Sequence, residues 1–343
     1  MPCDGWPKRR QWPGIIGGKG GAFLRAYLIG ISGAAAWAWG TSLVVGLEIA
    51  SEKGLGAWLI WAAANAGTLA VFGALTRRGF LAGHVFRLRA IKAAALLIQI
   101  FCLIIQLIII NKIVLELGGG PIAAYLTATA FGIFFSLLDY RHGLSTGIKT
   151  NYIQWLIAIG ALLAIIAAAL GTGEPRVAFP ESEGPALWWG LWAACILFSG
   201  PIGDAQHWQR AESAGRGSKA YFIAAGAFGF YMLLIVIAAG FEFSPLMQLF
   251  LLVAVLAVTS STISSISFAV NDLIAKETGA AVALFVCIFW GIFARFDVLA
   301  IWSSAGIYRV LFAVLILYLG YRGLRNENRK DETGRFEAIR KKR

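Results

Sequence analysis

The sequence predicts an all-α polytopic membrane protein, and three observations lead to this fold class. Of the 343 residues, 59% are hydrophobic and 14% are charged, whereas a soluble globular chain carries about 25% charged residues. The mean hydropathy is +0.72. The apolar residues lie in runs of about 20, the length at which a helix crosses the hydrocarbon core of a bilayer. These observations exclude a soluble enzyme and a cytosolic binding module.

Ten apolar segments are long enough to be transmembrane helices. We number them spans 1 to 10, and they lie near 21–50, 55–76, 92–115, 121–138, 152–171, 186–214, 219–241, 247–272, 279–294 and 304–321. The connections between them are short and carry Gly and Pro residues, as at Gly118–Pro121.

The distribution of Lys and Arg predicts which side of the membrane each connection occupies. If the N-terminus is cytoplasmic, 25 of the 30 Lys and Arg residues fall on the inner side. The other five lie in outer connections or at outer helix ends: Lys53, Lys112, Arg176, Arg295 and Arg309. Because short cytoplasmic loops are rich in Lys and Arg, we expect a multi-pass protein of the plasma membrane, the inner membrane in bacteria, with both termini cytoplasmic.

This orientation divides the chain into five parts. They are a cytosolic N-terminal segment, 1–20; a first group of five helices, 21–171; an extracytoplasmic loop, 172–185; a second group of five helices, 186–321; and a basic cytosolic tail, 322–343. Five is an odd number, so the two groups have opposite orientations, as in an inverted repeat. The net charge of +12 then reflects orientation and not nucleic-acid binding, and the lipid bilayer is the expected surrounding. No oligomeric state follows from these patterns.

An inverted repeat of the transporter type has a broken helix at the start of each half. In span 1, Gly30 and Gly33 bracket Ser32. A glycine inside a helix costs about 1 kcal/mol relative to alanine, and a pair favours local unwinding. The same spacing also serves close helix packing, and for span 1 the two interpretations have equal weight.

The break in span 6 has a stronger signal. Pro201 lacks an N–H and clashes with the preceding turn, and Asp204 suits the N-cap of a second half-helix that starts at Ala205. A carboxylate in mid-membrane is a functional hypothesis by default. Asp204 is expected to take a proton, to pair with a cationic solute or to cap the half-helix, and the sequence leaves these three roles open.

Span 8 carries seven hydroxyl side chains in the nine residues 259–267. Several of them share one helix face, although hydroxyls in membrane helices also bond back to their own backbone. With a rise of 1.5 Å per residue, Thr259 lies roughly 18 Å below the outer end of span 8, and Gly30 lies roughly 14 Å above the inner end of span 1. We therefore expect the two residues to lie at the same depth.

Other side chains in the spans offer further candidates. Gln99 and Gln106 lie on one face of span 3, and they either line a cavity or bond to a neighbouring helix. Most tryptophans are expected at the membrane interfaces. Trp37 and Trp39, just beyond the predicted break of span 1, are the best candidates among them for contact with a solute.

Three of these segments resemble the solute:sodium symporter family of the LeuT-type (APC) transporter superfamily. Residues 31–50 look like the first core helix of that family, and 198–211, with Gln209-Arg210 near the end, is similar to the sixth. Thr259-Ser260-Ser261 looks like the paired hydroxyls that bind sodium at the site called Na2. Where that family often has Asn-Gln in the sixth-helix break, this chain has Asp204-Ala205, which leaves the substrate class and the coupling ion open.

The resemblance implies an ion site and a solute site. We expect Na⁺ to be held by backbone carbonyls near Leu28 and Ile31 and by the hydroxyls of Thr259, Ser260 and Ser261, because neutral oxygen ligands suit a monovalent ion. The positive ends of the half-helices favour a small polar solute, including a zwitterion. Its expected contacts are Ser32, Gly33, Gln106, Ser199, Gly200 and Asp204. No cofactor beyond the coupling ion is expected, and H⁺ coupling through Asp204 is the alternative to Na⁺.

The predicted function is therefore a secondary active transporter that carries a small polar organic solute together with Na⁺ by alternating access. The competing interpretation is a transporter-like sensor or scaffold that binds a solute without moving it. A membrane enzyme is not expected, because the spans contain no paired carboxylates, no metal-ligand cluster and no nucleophile–base arrangement.

Overall fold

The computed structural model describes residues 19–77, 88–214, 218–296 and 298–340, and their regular structure is helical apart from one isolated bridge between Arg176 and Phe241. The helices are α1 (Lys19–Trp37), α2 (Gly40–Glu48), α3 (Gly54–Arg77), α4 (Arg89–Glu116), α5 (Pro121–Thr172), α6 (Gly184–Gly203), α7 (Ala205–Ser213), α8 (Ser218–Ala239), α9 (Pro245–Leu273), α10 (Lys276–Phe289) and α11 (Val298–Arg340). A π-helical turn (Ile49–Lys53) follows α2, and a 3₁₀ turn (Trp290–Phe293) follows α10.

Within the described residues, nine segments are long and apolar enough to cross a membrane, and Phe23–Trp37 is a shorter apolar helix. This confirms the predicted class, an all-helical multi-pass membrane protein. Residues 1–18 of the predicted N-terminal segment lie outside the described residues. The predicted basic tail continues α11 as far as Arg340.

One of the nine segments, Gly40–Arg77, contains a reversal of the chain. Gly54 has φ of 80°, a conformation that favours glycine, and a Cβ on Gly54 would collide with the carbonyl of Pro180. Gly46, before Gly54 in the chain, packs against the ring of Trp61, which follows Gly54. A Cβ added to Gly46 would lie 3.1 Å from that ring. The chain therefore reverses at Gly54, in agreement with the boundary predicted between spans 1 and 2.

The long helix α5 is also not straight. The hydroxyl of Ser267 donates to Ser136 at 2.9 Å, and the Asn151 amide contacts the hydroxyl of Ser265 at 3.0 Å. Ser136 and Asn151 would be about 22 Å apart on a straight helix, yet both contact the same turn of α9. The helix therefore bends back between them, and its two apolar parts, Pro121–Leu138 and Thr146–Thr172, correspond to predicted spans 4 and 5.

Span 1 is interrupted, but not at the predicted place. Helix α1 runs without a break through Gly30 and Gly33, and the non-helical residues are Ala38 and Trp39. The two glycines serve close packing against α8: a Cβ on Gly30 would lie 2.5 Å from the carbonyl oxygen of Ala220. The packing interpretation is therefore correct for this glycine pair, and the prediction of unwinding there is wrong.

Span 6 breaks a few residues later than its proline suggested. Helix α6 continues through Gly200 and Pro201 to Gly203. A proline cannot donate to the carbonyl four residues before it, and here the hydroxyl of Thr68 on α3 donates to that carbonyl, Leu197 O, at 3.0 Å. A partner from a neighbouring helix thus replaces the missing bond. The chain leaves helical geometry only at Asp204, where φ is −103° and ψ is 112°.

Candidate functional site

The break in span 1 removes the usual helical donors from two backbone carbonyls. In a continuous helix, Ala35 O and Ala36 O would accept from the N–H groups of Trp39 and Gly40. Instead, Trp39 N donates to Trp37 O at 2.9 Å, and Gly40 N donates to Gln106 Oε1 on α4 at 3.0 Å. The two carbonyls therefore lose the donors that a continuous helix would supply. The side-chain oxygen of Gln106 replaces Ala36 O as the acceptor for Gly40 N and so caps α2.

Helix α9 also reaches this break. A Cβ on Gly40 would lie 2.6 Å from the methyl carbon of Thr259, so Thr259 lies directly against the start of α2. The hydroxyl of Thr259 donates to Val255 O at 2.7 Å, which leaves its oxygen lone pairs available to a cation. The break of span 1, Gln106 of α4 and Thr259 of α9 therefore meet at one point.

At the break in span 6, Asp204 is fully buried and accepts three N–H bonds. Its Oδ1 accepts from Gln99 Nε2 at 2.9 Å and from Gln206 N at 3.1 Å, and its Oδ2 accepts from Gln206 Nε2 at 2.6 Å. The bond from Gln206 N makes Asp204 the N-cap of α7, as predicted. The indole N–H of Trp208 donates to Ile202 O at 2.8 Å and so satisfies a carbonyl at the end of α6.

The two breaks lie next to each other through Trp37 and Gly200. A Cβ on Gly200 would overlap the six-membered ring of Trp37, so the absence of a side chain makes room for the indole. The indole N–H of Trp37 donates to Asn65 O on α3 at 3.1 Å. The last residue of α1 therefore lies between α3 and the end of α6.

The hydroxyls of span 8 do not form one continuous polar lining. Thr259, Ser260 and Thr262 donate to carbonyls of their own helix, as hydroxyls in membrane helices commonly do. Ser265 and Ser267 instead bond to side chains of other helices. Back-bonding thus accounts for the N-terminal part of the predicted face, 259–262, and interhelical bonding for its C-terminal part, 265–267.

Ser265, in the C-terminal part of this face, belongs to a hydrogen-bond network around Arg210, which is only 2% exposed. Arg210 donates through Nε to Ser32 of α1 at 3.2 Å and through Nη2 to Ser265 of α9 at 2.7 Å. The amide of Asn151 on α5 contacts the same two hydroxyls at 3.2 and 3.0 Å. Ser32, a predicted solute contact, is therefore used to hold α1, α5, α7 and α9 together.

This network also corrects the predicted ion site. Ser32 lies level with Ser265, and Gly40 lies level with Thr259, because α1 and α9 are antiparallel. Ile31 is nine residues before Gly40, which is about 14 Å along the helix. Leu28 and Ile31 are therefore not brought to Thr259, and they lie in the continuous part of α1. The hydroxyl of Ser261 is closer to this part of α1, because it and Ser32 both lie within 3.3 Å of the Asn151 amide. The depth estimate was wrong because it assumed that each helix begins at the edge of the hydrocarbon.

A small cavity of about 20 Å³, room for about one water molecule, lies beside the breaks, between α2, α3, α6 and α11. Its wall consists of Trp37, Trp39, Thr41, Ser42, Val45, Trp61, Asn65, Leu197, Trp302 and Arg309. Trp37 and Trp39 were predicted to contact a solute and do line this cavity. The six residues predicted as the solute site do not line it. They lie behind it or are used in packing: Gly33 packs near α8, Gly200 lies under Trp37, Gln106 caps α2, and Ser199 bonds to its own helix.

The position of Arg309 differs from the one predicted from the sequence. It was assigned to an outer helix end, but it is only 6% exposed. Its Nη2 donates to Cys102 Sγ at 2.7 Å, and its guanidinium carbon lies 4.5 Å from the centroid of the Trp39 ring. Its position inside the apolar run 298–321 was the signal that could have identified it, because an ionisable residue inside a span is a functional candidate by default.

The fold resembles that of a known transporter. The structure of a Na⁺-coupled sialic acid symporter, in a substrate-bound outward-open state, matches this chain with a TM-score of 0.54. The match covers 88% of this chain and 78% of that chain, with 18% sequence identity. No protein-family profile and no curated protein matches the sequence. At this identity the likeness concerns the fold alone, so this chain is similar in fold to a Na⁺-coupled symporter.

Proposed function

We propose that this protein is a secondary active transporter that carries a small polar organic solute together with Na⁺ by alternating access. The observation that carries the proposal is the pair of adjacent helix breaks, at Ala38–Trp39 and at Asp204, in a chain whose fold resembles that of a Na⁺-coupled symporter. Irregular backbone at membrane depth is tolerated where it lines a cavity or binds an ion. In this proposal both termini are cytoplasmic and the protein resides in the bacterial inner membrane.

We infer that the architecture is the ten-helix, 5+5 inverted repeat of LeuT-type transporters. The lengths of successive elements support this inference. Helices α1 and α6 have 19 and 20 residues, α2 and α7 have 9 each, α3 and α8 have 24 and 22, and α4 and α9 have 28 and 29. The remaining candidate spans have 18 and 27 residues in the first half and 18 and 23 in the second.

The helix packing supports the same inference. Helix α1 packs on α8 as α6 packs on α3, and α1 packs along α5 as α6 packs along α11. In an inverted repeat α1 would correspond to α6, α3 to α8 and α5 to α11. Exchanging the two halves then turns the contact of α1 with α8 into that of α6 with α3, and the contact of α1 with α5 into that of α6 with α11. Counting α1 with α2, and α6 with α7, as single broken spans then leads to ten crossings.

We place the coupling ion at the observed break of span 1. The ligands in this proposal are the carbonyls of Ala35 and Ala36 and the hydroxyls of Thr259 and Ser260, with Ser261 as a neighbouring oxygen. All of these are neutral oxygens, which suits Na⁺ better than a divalent ion that would require carboxylates. The half-helix α2, capped by Gln106, begins beside this point.

Binding of radiolabelled Na⁺ to the purified protein tests the ion site, with Thr259→Val and Thr262→Val as a matched pair. Both hydroxyls bond to their own helix four residues back, so both variants lose the same backbone bond. Only Thr259→Val loses a proposed ligand, and we expect it to weaken Na⁺ binding by about tenfold, the equivalent of one hydrogen bond to a charged group. Equal Na⁺ affinities in the two variants contradict the site.

Coupling is tested in proteoliposomes with a panel of labelled solutes, with an inward Na⁺ gradient, with a proton gradient, and with neither. Uptake that requires the Na⁺ gradient supports the proposal. Uptake driven by the proton gradient without Na⁺ supports the second candidate, H⁺ coupling through the fully buried Asp204. Binding of solutes without uptake under any gradient identifies a sensor instead.

A further inference from the structure

Arg309 carries a buried positive charge in the wall of the cavity. A guanidinium stays protonated in proteins, and burying a charge costs several kcal/mol unless a counter-charge compensates it. Within the described residues no carboxylate lies within 4 Å of Arg309, whose hydrogen bond is to the neutral thiol of Cys102.

Asp204 is the buried carboxylate at the neighbouring break of span 6. It does not neutralise Arg309 by contact, because its oxygens already accept bonds from Gln99 and Gln206. Asp204 also does not line the cavity, whereas Arg309 does. The positive charge that faces the cavity therefore has no ionic partner in direct contact.

The orientation of Arg309 is set by Trp39. The guanidinium lies over the indole ring at 4.5 Å, and stacking on an aromatic face leaves the in-plane N–H groups free to bind a planar anion. A carboxylate matches two of these N–H groups at once. The indole N–H of Trp39 is buried and has no hydrogen-bond partner among the described residues, which adds a donor without an acceptor beside the same cavity.

The rest of the wall is uncharged and largely aromatic. Trp37, Trp61 and Trp302 provide flat apolar surfaces, and Ser42 and Asn65 add hydrogen-bonding groups. One positive charge in such a wall is balanced by one negative charge. A doubly charged anion would leave one negative charge buried without a partner.

We propose that the solute is a monocarboxylate with an apolar or ring-bearing body, and that Arg309 binds its carboxylate in the cavity between α2, α3, α6 and α11. This inference rests on the proposed transport function and specifies the substrate class. The described cavity has a volume of about 20 Å³, so the proposal includes a widening of the cavity during alternating access. In the wider state the carboxylate lies at the guanidinium edge, and the body of the solute packs against the tryptophans.

The test compares acids with their uncharged amides on the purified full-length protein, with NaCl present in every arm. The probes are acetate, lactate, pyruvate, benzoate, phenylacetate and indole-3-acetate, each paired with its amide, and the readout is quenching of tryptophan fluorescence. We expect at least one acid to bind about tenfold or more tightly than its amide, as a bond to a charged group predicts. If no acid in the panel binds better than its amide, the inference is overturned.

Variants of Arg309 then assign the preference to this side chain. In Arg309→Gln the ratio of the affinity for the acid to that for its amide is expected to fall to about one. In Arg309→Lys this ratio is expected to lie between that value and the wild-type value, because lysine keeps the charge but not the planar guanidinium. The exposed Arg295→Gln serves as the matched control and is expected to keep the wild-type ratio. A wild-type ratio in Arg309→Gln overturns the inference.

Binding of radiolabelled Na⁺ separates this inference from the proposed function. Arg309→Gln is expected to retain Na⁺ binding, which also shows that the variant is folded, because the proposed ion site at Thr259 does not include Arg309. Loss of Na⁺ binding in Arg309→Gln, with the ratio lost as well, indicates a structural role and overturns the inference. Absence of Na⁺ binding in the wild type refutes the proposed function instead, whatever the acid-to-amide ratio.

Discussion

At the scale of single residues, Asp204 combines a helix cap with a buried polar cluster. An exposed N-cap needs one acceptor for one backbone N–H, and asparagine serves there nearly as well as aspartate. Asp204 instead accepts from one backbone N–H and two side-chain amides. It therefore needs two acceptor oxygens, and only a carboxylate supplies both.

This requirement leads to a prediction for Asp204→Asn. Asparagine removes the negative charge that accepts from Gln99 and Gln206, so we expect a loss of about 1.5–3 kcal/mol for the charged acceptor. In the double variant with Gln206→Glu the donor and acceptor are exchanged, and stability should partly return. Thermal unfolding in detergent, followed by tryptophan fluorescence, measures both variants. If Asp204→Asn unfolds at the wild-type temperature, Asp204 acts as a simple cap.

At the scale of helices, the two broken spans depend on contacts with their neighbours. Helix α6 continues through Pro201 because Thr68 of α3 supplies the bond to Leu197 O. Its Gly200 leaves space for Trp37, the last residue of α1. The position of each break is thus set partly by the neighbouring helices. The two breaks are adjacent because the ring of Trp37 fits against Gly200.

The fit of Trp37 against Gly200 predicts opposite effects for two Gly→Ala changes. In Gly200→Ala the new methyl group overlaps the indole, and overpacking of this kind costs about 1–3 kcal/mol. Gly226→Ala in α8 is the matched control, since an added Cβ meets nothing within 4 Å and alanine favours a helix by up to about 1 kcal/mol. Thermal unfolding compares them, and equal stability of the two variants contradicts the packing described.

At the scale of the whole molecule, the charges of the connections predict an orientation that the helix packing does not determine. Lys149 lies at the start of the apolar part Thr146–Thr172 and Glu181 lies beyond its other end, so we expect the membrane to separate them. Both residues are exposed, and by the positive-inside rule Lys149 is expected to face the cytoplasm.

Labelling of single introduced cysteines tests this orientation. A membrane-impermeant maleimide added to intact cells should label Glu181→Cys above the level of the unmodified chain. It should label Lys149→Cys only after the membrane is permeabilised. The reverse pattern would invert the topology, and labelling of both from one side would contradict a span between them.

The sequence by itself determined the membrane class, the lengths of the apolar segments, the interruption of span 6 and the suitability of Asp204 as a helix cap. These features depend on local properties, since helix length and capping are set by residues within one or two turns. The resemblance to a symporter family was also visible from three short segments, and the likeness of the fold to a Na⁺-coupled symporter agrees with it.

Only the tertiary structure decided where span 1 breaks, which oxygens meet there and what faces the cavity. Gly30 and Gly33 have the same spacing whether they unwind a helix or let another helix approach, and the presence of α8 against Gly30 determines which occurs. The depth of Thr259 and the burial of Arg309 depend on the positions of neighbouring helices relative to one another, which the sequence of one helix does not determine. For this reason the candidate ion and carboxylate sites involve Ala35, Ala36 and Arg309, residues that the local patterns did not indicate.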